Sequence, residues 1–281
     1  MLLFIFIIYL GKVSLESCFK YFIIQSLSSV LFLFCFLSAN RSTFFIVIFR
    51  ILIKLGIFPF HQWIISLCDK LDWDNIYYLT TLQKIIPFYL LSFFSVFEMF
   101  KFIFFIGLIN TFIRILGCFN HSNFRLMYGF MSIFHQSWIL LGLLSEALCG
   151  LLYLIGYIII SIPFFFFFIH IGSNSISFFN TRFRNFFFLF MIFGLLVGVP
   201  PLSGFLLKLY VSLMFIYTNI YICLFLVILS RIFFFYVYCR ILFICIFSYI
   251  NRINNLCFSR DLSLFYMIFF FMGLPLFSII F

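Results

Sequence analysis

Apolar runs of about 20 residues recur along nearly the whole chain and are separated only by short polar stretches. One α-helix needs a run of this length to cross the hydrocarbon core of a bilayer. Of the 281 residues, 67% are hydrophobic and 9% are charged, whereas soluble domains are about 45–50% apolar and about 25% charged. A soluble core cannot hide this much apolar surface, so we predict an all-α polytopic membrane protein.

Nine runs fit a membrane helix, which predicts about nine to ten crossings in a single transmembrane domain over 1–281, without a soluble domain. The seventh run is too long for one straight crossing, and Pro200–Pro201 divides it. The stretch 1–10 spans only about 15 Å as a helix, so we predict a short tilted or re-entrant segment there. The nine runs are 18–38, 43–67, 76–99, 102–119, 124–145, 148–172, 183–218, 220–248 and 262–281.

The net charge of +10 comes from basic residues that stand at the ends of the apolar runs. This placement favours contact with anionic lipid headgroups and argues against nucleic-acid binding. The nine cysteines are scattered singly, without the spacing of a metal site, so no metal or cofactor is predicted in this chain. We interpret the cluster Asp69, Asp72 and Asp74 as an ordinary interfacial loop.

Three lysines lie well inside the apolar runs: Lys54, Lys84 and Lys208. A lysine at mid-bilayer costs about 2.5–3.5 kcal/mol on insertion scales, so each one needs a physical reason. Each stands beside residues that break or loosen a helix, because proline removes a backbone hydrogen bond and clashes with the preceding turn. The freed carbonyl groups need water or polar partners, which predicts two broken helices that line a wet cavity. The predicted helix-breaking residues are Gly56, Pro59, Pro87, Pro200, Pro201 and Gly204.

Polar side chains recur at helical spacing along two of the runs, so each set lies on one face of its helix. Such a face looks inward, because lipid cannot satisfy its hydrogen bonds. Beside the breaks, Ser203 adds a further polar group, and His61 and Trp63 are predicted to reach toward one interface. The first stripe comprises Tyr77, Thr80, Thr81 and Lys84, and the second comprises Tyr128, Ser132, His135 and Gln136.

We interpret the lysines as members of a proton relay. Two lysines about 10 Å apart, at an effective dielectric constant of about 20, repel by about 1.7 kcal/mol, so protonating one favours deprotonation of the next. Histidine, serine, tyrosine and water would link them. The alternative is a lysine that snorkels to the headgroups or pairs with a backbone carbonyl, which explains one such lysine better than three.

Two motifs around these lysines resemble signatures of the antiporter-like membrane subunits of respiratory complex I. The stretch "KLGIFPFHQW" (54–63) resembles K-x-G-x-x-P-F-H-x-W, and "GVPPLSGFLLK" (198–208) resembles G-[LV]-P-P-x-x-G-F-x-x-K. Three further segments are similar to one mitochondrial member of that group: "FKYFIIQSLSSVLFL", "TLQKIIP" and "LGCFNHSNFRLMYGFMSIFHQSW". The matching segments follow the family's order and span 18–211.

The resemblance implies two inverted repeats in an assembly that couples NADH-to-quinone electron transfer to proton pumping. Lys54 and Lys84 would form the lysine pair of the first half (18–119), Lys208 would stand in the second half (124–281), and His135 would lie between them. Flavin, iron–sulfur clusters and quinone would belong to other subunits, so this chain would be an enzyme only as a subunit. Implied partners are other complex I membrane subunits, especially neighbouring antiporter-like subunits, and lipids such as cardiolipin of the mitochondrial inner membrane.

The sequence also departs from the family pattern. The family places an intramembrane glutamate well before the K-Y-F segment, and counting back from Lys20 runs off the start of this chain. We therefore expect a chain that is N-terminally truncated relative to the family, and Glu16 stands too close to Lys20 to replace that acid. Two other functions stay open: a stand-alone cation/proton antiporter of the same fold, and a structural membrane subunit with a vestigial channel.

Overall fold

The chain forms a helical bundle in the computed structural model, which describes residues 15–38, 43–93, 100–121, 123–171, 191–199 and 202–218, and isolated positions between 225 and 240. No β-strand occurs among these residues. The predicted segments 1–10 and 262–281, most of 220–248, and Pro200 and Pro201 lie outside the described residues. The elements are α1 (Leu15–Ser38), α2 (Thr43–Leu55), α3 (Gln62–Lys70), α4 (Trp73–Tyr77), a π-helical turn (Tyr78–Leu82), α5 (Gln83–Phe93), α6 (Phe100–Asn120), α7 (Phe124–Ser145), α8 (Ala147–Ile171), a helical segment at 191–197, and α9 (Ser203–Tyr217).

Helix α7 lies at the centre of the bundle and is buried along almost its whole length. It contacts α3, α6, α8 and α9. Glycines allow α8 to approach α7 closely, because a Cβ atom added to Gly142 of α7 would lie 3.1 Å from Cα of Gly150 on α8. Polar side chains on α7 are therefore placed where they can meet several helices at once.

Two helices in the described part of the chain are long and apolar enough to cross a membrane, Phe124–Ser145 and Ala147–His170. Shorter apolar helices cover Phe102–Cys118 and Ser203–Tyr217. Large apolar side chains such as Leu33, Leu116 and Leu148 stay exposed on the outside of the bundle, as lipid contact requires. The helical class is confirmed for the residues that the structure describes, and the number of nine to ten crossings stays a prediction.

The predicted helix boundaries agree with the structure best where no break occurs. The run 124–145 coincides with α7, and 148–172 differs from α8 by one residue at each end. The run 43–67 is divided into α2 and α3, because Gly56 ends the first helix. The run 76–99 is divided by the π-helical turn, whereas Pro87 lies inside α5 without ending it.

Candidate functional site

The first helix break follows Lys54 by two residues. Helix α2 ends at Leu55, Gly56 takes a left-handed conformation with φ of +63°, and the Phe58–Pro59 peptide bond is cis. Two observations exclude a larger residue at position 56. The left-handed backbone favours glycine, and a Cβ atom there would lie 2.2 Å from Cδ1 of Ile64. The glycine therefore fixes where the helix stops and leaves Lys54 in its last turn.

Two side chains from outside α2 donate hydrogen bonds to carbonyl groups beside this break. Nε1 of Trp63 donates a hydrogen bond of 3.1 Å to the carbonyl oxygen of Ile53. Nε2 of Gln136 donates one of 2.7 Å to the carbonyl oxygen of Leu55, across from α7. The ring of Trp63 is buried and turned back onto α2, where the carbonyl oxygen of Ile53 also accepts a hydrogen bond of 3.1 Å from the N–H of Gly56. That Trp63 reaches toward one membrane interface stays a prediction.

The turn after α2 has a second polar anchor, which the sequence-based prediction missed. Oδ1 of Asn110, on α6, accepts a hydrogen bond of 2.9 Å from the backbone N–H of Phe58. Asn110 is fully buried. A single asparagine inside an apolar helix was the available signal, since lipid or an apolar core gives such a side chain no partner.

Lys54 itself is half-buried, and a buried arginine stands one turn before it on α2. The charges of Arg50 and Lys54 lie close enough to interact. His61 is also half-buried, and its ring stacks on that of Phe58 at a centroid distance of 6.5 Å. The end of α2 and the turn that follows it therefore carry two neighbouring cations and an imidazole.

Lys84 is buried deeply, with 4% of its surface exposed. Its Nζ has no hydrogen-bond partner among the described residues, and the thiol of Cys68 lies close enough to interact with its charge. The π-helical turn just before α5 changes the predicted face, so that Thr80 and Thr81 are buried while Tyr77 is half-buried. The Thr81 hydroxyl donates a hydrogen bond of 2.6 Å to the carbonyl oxygen of Tyr77, within the same helical stretch.

The second polar stripe faces a pair of tyrosines on α8. The hydroxyl oxygens of Tyr128 and Tyr157 are 3.1 Å apart, and Nδ1 of His135 lies 3.0 Å from the hydroxyl oxygen of Tyr153. The ring of His135 also stacks on Tyr157 at 4.7 Å. The sequence-based prediction did not include Tyr153 and Tyr157, although their spacing of four residues places them on one face of a helix.

Not every residue of the second stripe joins this contact set. The hydroxyl of Ser132 donates to the carbonyl oxygen of Gly129 at 2.8 Å, within its own helix. Gln136 points away from the tyrosines toward the first break. All four residues of the stripe are buried, as expected for an inward face.

Lys208 lies against the second helix break. Helical segment 191–197 ends before Gly198, whose φ is +77°. Nζ of Lys208 donates hydrogen bonds of 2.8 Å and 2.6 Å to the carbonyl oxygens of Leu196 and Val197. It also lies 5.1 Å from the ring centroid of Phe134 on α7. These carbonyl groups are the negative end of the segment, so the ammonium group is stabilised where it stands.

Helix α9 approaches the second break closely because it begins with small residues. A Cβ atom at Gly204 would lie 1.8 Å from the carbonyl oxygen of Leu195, so no other residue fits there. Ser203, the first residue of α9, is buried beside it. The contact sets the distance at which Lys208, one turn further on, reaches the end of segment 191–197.

Three consecutive residues of α7 contact the three parts of the site. Phe134 lies under the Lys208 ammonium, His135 meets Tyr153, and Gln136 holds the carbonyl of Leu55. Successive side chains on a helix point about 100° apart, so one turn of α7 can serve three neighbours. The two broken helices are thus joined through a single buried turn.

Carboxylates take no part in this arrangement within the described residues, where none of them is buried. Glu16 is exposed and pairs with Lys20 and Lys70. Asp72 pairs with Arg125 at 3.7 Å, consistent with a structural loop. The described residues contain no group of histidine, cysteine or acidic side chains that could hold a metal ion.

Chains of three solved membrane complexes share this fold. A chain of respiratory complex I from Thermus thermophilus matches with a TM-score of 0.77 and 16% identity, over 98% of this chain and 69% of that chain. A chain of an archaeal membrane-bound sulfane sulfur reductase matches with a TM-score of 0.79 and 15% identity, over 93% and 62%. A chain of the Mrp complex from Dietzia sp. matches with a TM-score of 0.73 and 17% identity, over 82% and 51%. The fold is therefore that of a helical chain of such membrane complexes.

The sequence then gives the family. Residues 36–234 match the family model "NADH:quinone oxidoreductase/Mrp antiporter, TM", and the chain belongs to that family. It is 36% identical over 197 residues to NADH-ubiquinone oxidoreductase chain 2 of Artemia franciscana, covering 69% of this chain and 64% of the relative. It is 29% identical over 212 residues to the protein of that name from Anopheles gambiae, covering 69% and 60%. The matched region therefore spans less than two thirds of the length of these relatives. The family resemblance predicted from the motifs is confirmed.

Proposed function

We propose that this chain is a core membrane subunit of a proton-translocating NADH:ubiquinone oxidoreductase in the mitochondrial inner membrane. The observation that carries the proposal is the turn of α7 at 134–136, which contacts Lys208, the α8 tyrosines and the break beside Lys54. Family membership and the names of the relatives support the assembly. Other membrane subunits, especially antiporter-like ones, would be its neighbours, with cardiolipin and other lipids around them.

The chemistry proposed for this chain is proton transfer inside the membrane. Lys54 and Lys84 of the first half, 18–119, would exchange protons with Lys208 of the second half, 124–281, through His135. A buried ammonium such as that of Lys84, without a described partner, is costly to keep charged and so is suited to releasing its proton. Electron transfer would take place on flavin, iron–sulfur clusters and quinone in other subunits.

The tyrosine pair on α8 adds candidate carriers to this path. A phenol hydroxyl both donates and accepts, so the Tyr128–Tyr157 and His135–Tyr153 contacts can pass a proton without moving the backbone. Ser132 and Thr81 would support the helices rather than carry protons, because each is bonded to its own backbone.

A second candidate function is a cation/proton antiporter outside complex I. The structural likeness to a chain of the Mrp complex and the family's own description favour it. In that case the lysines and His135 would move protons against a cation, without coupling to NADH oxidation.

A native gel of the source membranes distinguishes these two candidate functions. Membranes are solubilised in mild detergent, the gel is stained for NADH dehydrogenase activity, and peptides are identified in the active band. We expect peptides of this chain in a large active band. Migration in a complex without NADH dehydrogenase activity would overturn the assignment to complex I and leave cation flux as the activity to assay.

A further inference from the structure

Two buried amide side chains hold the turn that follows Lys54. Gln136 of α7 donates from Nε2 to the carbonyl oxygen of Leu55 at 2.7 Å, and Asn110 of α6 accepts from the N–H of Phe58 at 2.9 Å. Both side chains have no exposed surface. They contact backbone groups three residues apart, on either side of Gly56 and Ile57.

The packing of α6 against α7 brings these two amides to one level. A Cβ atom added to Gly107 would contact Leu141, and one added to Gly117 would contact Phe130. The later position on α6 therefore meets the earlier position on α7, so the two helices run antiparallel. Asn110 then lies level with the Gln136 region, and the two amides reach the turn from adjacent helices.

Burial of a primary amide is expensive, so an amide pair at this position needs a reason. The backbone groups that it satisfies belong to the turn that ends α2, one residue and four residues after Lys54. A lost hydrogen bond there would leave a buried backbone group unpaired and let the last turn of α2 shift. The lysine that stands in that turn would move with it.

We propose that Gln136 and Asn110 are positioning residues that fix the end of α2 and thereby place the Lys54 ammonium for proton transfer. We call the hold of Gln136 and Asn110 on the turn at 55–58 the clamp, and the two hydrogen bonds carry it. Its consequence for proton pumping rests on the proposed function. Gln136 adjoins His135, so the same turn of α7 sets the position of Lys54 and carries the imidazole of the path.

The clamp is tested first by hydrogen exchange on the whole complex in detergent. Gln136→Leu and Asn110→Leu remove one hydrogen bond each, and the peptide that covers 56–60 should exchange about tenfold faster, as expected when a contribution of about 1.4 kcal/mol is lost. The matched controls are Ser137→Ala and Thr111→Val, neighbours whose hydroxyls bond only to Phe134 and Leu108 of their own helices. If the peptide 56–60 exchanges hydrogen no faster in these variants than in the controls, the clamp is overturned.

The consequence for Lys54 is tested by protons pumped per NADH oxidised. Gln136→Leu should lower the ratio, and the double variant with Lys54→Met should pump no less than Lys54→Met alone, because both changes act through one group. Additive losses, or an unchanged ratio despite faster exchange, would overturn the positioning role. If the native gel places the chain outside an NADH-oxidising complex, the proposed function fails, while the exchange experiment still decides whether the clamp exists.

Discussion

Lys208 donates a hydrogen bond of 2.6 Å from Nζ to the carbonyl oxygen of Val197, the last residue of helical segment 191–197. A second bond of 2.8 Å goes to Leu196. A cation that closes the carboxyl end of a broken helix differs physically from Lys84, whose Nζ has no hydrogen-bond partner in the part of the chain that the structure describes. The two lysines are therefore expected to respond differently to the same substitution.

Lys208→Met should destabilise the protein. The change leaves two buried carbonyl groups without their donor, and each unsatisfied group costs about 1–3 kcal/mol. We expect a lower midpoint in thermal unfolding of the detergent-solubilised complex and less assembled chain in the membrane. A variant as stable as the wild type would show that the two hydrogen bonds contribute nothing net.

Lys84→Met should leave stability unchanged or raise it. Methionine has nearly the same length, and replacing a buried charge that has no described partner removes a desolvation cost. The same thermal unfolding measurement applies, with Lys208→Met as the matched comparison. A loss of assembly as large as that of Lys208→Met would mean that Lys84 has a structural role.

Gly204→Ala should prevent correct packing of α9. The added methyl group would lie 1.8 Å from the carbonyl oxygen of Leu195, a backbone atom that cannot rotate away. Gly129→Ala is the control, because its methyl group would meet only Cys68 at 3.2 Å. We expect the first variant to lose most of its assembled chain on a native gel while the second keeps it, and equal behaviour would contradict the close approach.

Tyr153→Phe should weaken proton pumping without unfolding the bundle. The phenylalanine keeps the ring that stacks on Trp138 but removes the hydroxyl 3.0 Å from Nδ1 of His135. The matched control is Tyr89→Phe, since Tyr89 is 52% exposed on the outside of α5. Protons pumped per NADH oxidised should fall only in Tyr153→Phe, and equal ratios in both variants would remove Tyr153 from the path.

Sequence patterns predicted the helices well where composition alone decides them. Helices α7 and α8 were predicted within one residue, because long apolar runs leave no alternative in lipid. Gly56 was predicted as a break and is one, since its left-handed backbone excludes a side chain. The π-helical turn at Tyr78–Leu82 was not predictable, because it depends on how its neighbours pack.

The partners of the polar side chains were harder to predict than their burial. Helical spacing placed Gln136 and His135 together on an inward face, but it gives no information about the helices they meet. Gln136 reaches Leu55, 81 positions earlier in the chain, and His135 reaches Tyr153 on the next helix. Such contacts follow from the tertiary packing of α7 and not from local periodicity.

The most direct test of the central claim is the proton-to-NADH ratio of the complex reconstituted in proteoliposomes, with Lys84→Met in this chain. Lys20→Met, a change to an exposed lysine paired with Glu16, is the control. We predict that Lys84→Met oxidises NADH with a lower ratio while the control keeps the wild-type value. An assembled Lys84→Met complex with the wild-type ratio would contradict the claim that protons pass through the buried lysines of this chain.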